Sequence, residues 1–188
     1  MITPMLRPDL FGALVTHAGD ALYEHSYLRE FGQVARALRA YGGDVTRWWA
    51  DFRSRTAFTK PDDMLLLGVY GVAACFSADA DGTPRLPFDP VTGAPVDEVW
   101  ARWLDWDPVR MAPRYAAELR GLRAVWIDAG TRDEWFLDLG AVAFRAALAA
   151  AGVRDEAVQF ELFDATHMSI DYRYPLALSW LAHRLDGG

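Results

Sequence analysis

Apolar and polar residues alternate along this chain in two periods, and the switches between them predict the elements. "LFGALVTHAGD" (Leu10 to Asp20) is apolar with a β-branched centre and ends in Gly19-Asp20, the pattern of a buried strand followed by a turn. In "SYLREFGQVARALRAY" (Ser26 to Tyr41), Leu28, Phe31, Val34, Ala35 and Leu38 recur at three and four, which predicts an amphipathic helix closed by Gly42-Gly43. "DVTRWWADFRSR" and "KPDDMLLLGVYGVAACF" read as helices. "DADGTPRLPFDPVTGAP" reads as a Pro/Gly-rich loop, and "VDEVWARWLDW" as a short helix with Trp100, Trp103 and Trp106 three apart.

The last third is the most regular. "LRAVWIDAGT" is a continuous apolar strand ending in Gly130, and "EWFLDLGAVAFRAALAAAGV" is an Ala-rich helix stopped at Gly152. "AVQFELFDAT" is a second strand, and "DYRYPLALSWLAHRL" is a closing helix with Pro175 near its start. Strand, helix, strand with both strands apolar is a parallel βαβ unit, so the class is α/β. Residues 1–188 are expected to form one domain. The stretch of about 42–120 is too long for an ordinary connection between two strands, which predicts a helical, lid-like excursion over the sheet.

Bulk properties narrow the function classes. With 188 residues, 52% hydrophobic, the chain is long enough for a true core. A net charge of −7, without any basic cluster, disfavours nucleic acid as a partner. The longest nearly uncharged run, Met64 to Ser77, is shorter than the roughly 20 residues of a membrane helix and reads as a buried helix; no membrane is expected as a partner. Cys75, the sole cysteine, lies in that run and is expected to be a small buried hydrophobe. The lack of disulfides favours the cytoplasm.

Candidate chemistry gathers at the carboxyl ends of the strands, where sites of open parallel sheets form. Asp133 lies three residues beyond Gly130, and His167 follows the next strand; a right-handed crossover brings those two loops together. A carboxylate beside an imidazole fixes the ring tautomer and stabilises the imidazolium. The plainer alternative is that Asp133 only caps the following helix and His167 is only solvated. Glu134 and Asp138 are expected on that helix, and Asp128 within the strand. His17 and Asp20 leave a strand at its carboxyl end and are expected to line a pocket mouth. Trp135, next to Asp133, would border a substrate. "HAGDALYEH" also raises a metal reading through His17, Asp20 and His25, although the cluster straddles a strand end and a turn. No metal and no cofactor are expected.

"IDAGTRDEWFLDLGAVAFRAAL" followed by "FELFDATHMSIDYRYPLALSWL" resembles the C-terminal part of an esterase family of the α/β-hydrolase superfamily, whose relatives include enterochelin esterases and acetyl xylan or feruloyl esterases. "LRPDLFGALVTHAGDALYE" resembles the segment running into the sixth strand of such enzymes. The resemblance implies that Asp133, in its Gly-x-x-Asp setting, is the triad acid and that His167 is the triad base. It implies a small-molecule or carbohydrate-linked ester as substrate. The departure is the nucleophile: no quintet reads GxSxG, and Ser26, Ser54, Ser77, Ser169 and Ser179 all lack that setting. The expectation is therefore the C-terminal part of an α/β-hydrolase fold, about three parallel strands with flanking helices, nearly inactive alone. It would pair with an N-terminal half or with itself. The alternative is a non-catalytic binding or interaction protein on the same architecture.

Overall fold

The computed structural model describes residues 1–185 and divides the chain into two compact units. One comprises Met1–Ser26 and the chain from Trp106 onward; the other is Tyr27–Asp105. The inserted unit thus starts and ends earlier than the 42–120 stretch, because the two short helices beyond Asp105 pack with the sheet.

The first unit runs α1 (Thr3–Leu6), β1 (Ala13–His17), α2 (Tyr23–Ser26) and, after the insertion, α7 (Pro108–Met111), α8 (Ala116–Arg120), β2 (Ala124–Gly130), α9 (Leu137–Ala150), β3 (Val158–Phe163) and α10 (Arg173–Leu185). The three strands form a parallel sheet in the order β1-β2-β3. Register places Ala13 beside Ala124, His17 beside Asp128, and Asp128 beside Glu161. Every residue of the central strand β2 is buried, as a parallel strand covered on both faces requires.

The two faces differ in character. Leu14, Val125, Ile127 and Ala129 pack with Met5, Met111, Leu119, Phe144 and Leu148 in one apolar core. The opposite face of β2 carries Trp126 and Asp128 toward α10, where Trp126 meets Trp180 at 5.8 Å. Small residues let α9 approach closely: a Cβ on Gly140 would lie 2.6 Å from the backbone oxygen of Ala21. Gly152, at φ 84, ends the helix region in the left-handed backbone that only glycine adopts freely. Pro175 sits in the first turn of α10, where its missing N–H costs no helix bond. β1 is shorter than the apolar run from Leu10 to Asp20 suggests; Leu10 and Phe11 precede it and are exposed.

The inserted unit is helical. It contains α3 (Phe31–Leu38), α4 (Val45–Ser54), α5 (Asp63–Phe76) and α6 (Asp97–Leu104). α3 runs on into a 3-10 turn at Arg39–Tyr41, which Gly42 and Gly43, at φ 69 and 76, terminate. Asp44 caps α4 by accepting from the backbone N–H groups of Thr46 and Arg47. Phe31 packs against Phe88 and Trp100, and the Trp103 indole donates to the buried Ser77 hydroxyl at 2.8 Å. Asp63 is buried and receives a two-pronged bond from Arg55, at 2.5 and 2.7 Å. α5 is buried along one stripe only, Leu66, Val69 and Ala73, and not all round. Cys75 lies off that stripe and is exposed, contrary to the expectation of a buried thiol.

Candidate functional site

The loops leaving β2 and β3 are stitched side by side by their backbones. Thr131 N–H donates to Phe163 C=O at 2.9 Å, and Arg132 N–H to Ala165 C=O at 3.0 Å. Gly130 makes this possible: a Cβ there would lie 2.4 Å from the oxygen of Ala165 and 2.7 Å from that of Thr166. Only glycine lets the two chains approach this closely.

The approach sets Asp133 against His167. Asp133 Oδ2 lies 2.9 Å from His167 Nδ1, with the carboxylate side chain fully buried and the imidazole 31% exposed. The other oxygen, Oδ1, accepts from Trp135 N–H at 2.8 Å and from Leu137 N–H at 3.5 Å. Asp133 therefore ties down the loop before α9 with one oxygen and holds the imidazole with the other, although α9 itself has no side-chain cap. An ionised carboxylate only accepts, so the proton of the pair sits on Nδ1, and Nε2 keeps its lone pair. The Trp135 and His167 rings meet in a T-shaped contact, centroids 4.8 Å apart.

Glu134 was expected on the helix, but α9 starts only at Leu137. Phe136 just before it has a left-handed backbone at φ 58, which delays the helix and keeps Glu134 in the loop. There its carboxylate accepts the backbone N–H of His167 at 2.9 Å, and that bond holds it below its ordinary pKa. Adjacent acidic residues thus fix one histidine, Asp133 by its ring and Glu134 by its backbone.

A second histidine-carboxylate pair lies on β1 and β2. His17 Nδ1 is 2.6 Å from Asp128 Oδ1, both side chains almost wholly buried. Asp128 Oδ2 accepts from Trp126 Nε1 at 2.7 Å and Arg173 Nε at 2.8 Å, and Arg173 also reaches Glu161. Sequence reasoning set Asp128 aside as a strand residue; the usable signal was one ionisable side chain in each of two apolar parallel strands.

His17 and Asp20 do not share one pocket mouth. His17 lines a cavity of about 390 Å³ with Val15, Thr16, Tyr174, Ala177 and Leu178. Asp20 lines another of about 220 Å³ with Met1, Ile2, Thr16, Gly19, Tyr23 and Pro108. The metal reading also fails to converge: His17 is turned to Asp128, Glu24 is paired with Arg110, and no three His, Cys, Asp or Glu side chains among the described residues could jointly hold an ion.

The Ser77 hydroxyl is buried and committed to Arg85 C=O at 2.6 Å, and that of Ser54 to Asp51 C=O at 2.7 Å. Ser26 is buried and Ser179 lies on α10. Ser169 is in a left-handed bend at φ 63, four positions before α10 begins. No helix among the described residues is long and apolar enough to cross a membrane. Neither the family models nor the curated proteins contain a match to this chain, so its reading rests on the geometry above.

Proposed function

We propose that this chain carries the acid and base of a serine ester hydrolase, with Asp133 orienting His167 and the nucleophilic serine supplied by a polypeptide segment outside it. The single observation that carries the reading is the 2.9 Å contact between Asp133 Oδ2 and His167 Nδ1 at the rim formed by two adjacent parallel strands. Such a contact prepares Nε2 to take a proton from a hydroxyl and to return it to the leaving alcohol, while the buried carboxylate stabilises the imidazolium. Trp135, 38% exposed beside the ring, offers an apolar surface for the acyl or alcohol part of an ester. The esterase resemblance of the sequence supports the same assignment.

The test is to translate the coding frame upstream of the Met1 codon and express it joined to this chain. A GxSxG quintet within about a dozen codons and hydrolysis of 4-nitrophenyl acetate support the proposal. In that protein His167→Ala and Asp133→Asn should each lower kcat by about three to four orders of magnitude. Turnover untouched by either substitution removes the assignment. This chain alone should stay near the uncatalysed rate.

A further inference from the structure

We propose that the groove between α3 and α5 of the inserted unit binds a small zwitterion, a free α-amino acid with an apolar side chain, whose carboxylate meets Arg36 and whose ammonium meets Asp62. The site uses neither Asp133 nor His167.

The groove follows from the faces of its two helices. Val34, Ala35 and Leu38 are buried, which leaves Gln33, Arg36 and Ala37, three and four apart, together on an outward face of α3. Asp62 and Leu65 stand opposite, at the start of α5. Asp62 holds the N-cap position, but its side chain makes no cap bond, while its neighbour Asp63 turns inward to Arg55. These five residues line a cavity of about 430 Å³, within the size range of small-molecule sites. Gln33, Arg36 and Asp62 are exposed, and Ala37 and Leu65 are half-buried, so a solute reaches every wall.

The charges select the ligand. Arg36 on one helix and Asp62 on the other bring a guanidinium and a carboxylate to the same space, and neither side chain is paired with the other or with any other described residue. A simple anion would satisfy Arg36 and be repelled by Asp62; a simple cation would meet the reverse. A molecule carrying both charges satisfies the two walls at once, and it breaks no existing ion pair to do so. The Gln33 amide, also unpaired among the described residues, adds a donor and an acceptor for either charged end. Leu65 and Ala37 leave an apolar strip for the ligand's side chain. Each of the five lining residues thus has a counterpart in an apolar amino acid.

The test titrates the intact chain with L-leucine and three analogues, followed by backbone ¹H–¹⁵N spectra. Leucinamide lacks the carboxylate, N-acetyl-leucine lacks the ammonium, and glycine lacks the side chain. Leucine should shift the amides of residues 33–37 and 62–65 saturably, with a Kd in the millimolar range that exposed ion contacts give, and each analogue should bind about threefold to fivefold more weakly. Arg36→Gln should lower leucine to the affinity of leucinamide, and Asp62→Asn should lower it to that of N-acetyl-leucine. Both side chains are exposed, so neither substitution burdens the fold, and the analogue series needs no variant at all. His167→Ala should leave leucine binding unchanged. The proposal is overturned by the absence of a saturable shift at these positions, by any analogue that binds as tightly as leucine, by leucine binding indifferent to either substitution, or by binding that disappears with His167.

Discussion

Asp133 is the residue on which the proposed chemistry turns, because its two oxygens have different partners. In Asp133→Asn the single amide oxygen can serve either the Trp135 N–H, turning the NH2 toward His167 Nδ1, or His167 Nδ1–H, turning the NH2 toward the Trp135 N–H. Asp133→Ala removes both bonds, so it should cost about 1 kcal/mol more than the Asn variant through the lost bond to the Trp135 N–H, read as a difference in urea midpoint. The pairing of Asp133 with His167 was legible from sequence, since adjacent parallel strands must deliver their following loops to one rim. Glu134 was not, because a left-handed Phe136 that shortens a helix leaves no mark in apolar periodicity. Nor was the His17–Asp128 pair, which depends on a register that places His17 opposite Asp128.

At the level of elements, the close crossing at Gly130 connects β2 to the histidine loop. Gly130→Ala would drive a Cβ into the backbone of Ala165 and Thr166, which must then move. The expected cost is about 1–3 kcal/mol, with the Asp133–His167 bond lost even in molecules that stay folded. Thermal unfolding and the His167 Nδ1–H resonance read the two effects separately; an unchanged resonance would show that the crossing does not position the pair. The sequence conveyed these elements well because their apolar runs are long and end at glycines. It misjudged α5, whose apolar residues outnumber the places available on one buried stripe, leaving Met64 and Cys75 outward. In the inserted unit, the bond from Arg55 holds the Asp63 carboxyl well below its ordinary value. The unfolded chain then binds more protons in acid, so this carboxylate stabilises the fold above about pH 4 and the contribution fades as pH falls further. Asp63→Asn should flatten that part of the stability curve, measured by urea unfolding across acid pH.

For the whole molecule, the decisive feature is a sheet of three strands in which, among the described residues, β1 pairs only with β2. Gly12 C=O and Ala18 N–H both bond toward β2, so the even-numbered residues face that strand and the backbone groups of Ala13, Val15 and His17 face the open edge. An open edge of this kind invites another strand. We predict concentration-dependent self-association by sedimentation velocity, reduced by Val15→Pro, which deletes an outward N–H while sparing the ladder to β2. The mixed α/β architecture with its parallel sheet was legible from the βαβ pattern; the division at Tyr27 and Asp105 was not, since no composition change marks either point. The central claim is that Asp133 holds His167 with the proton on Nδ1 and the lone pair on Nε2. Long-range ¹H–¹⁵N spectroscopy of the intact chain at neutral pH tests it most directly. The account predicts a protonated Nδ1 with a downfield, slowly exchanging proton that vanishes in Asp133→Ala. A proton found on Nε2, or an Nδ1–H unaffected by that substitution, would contradict it.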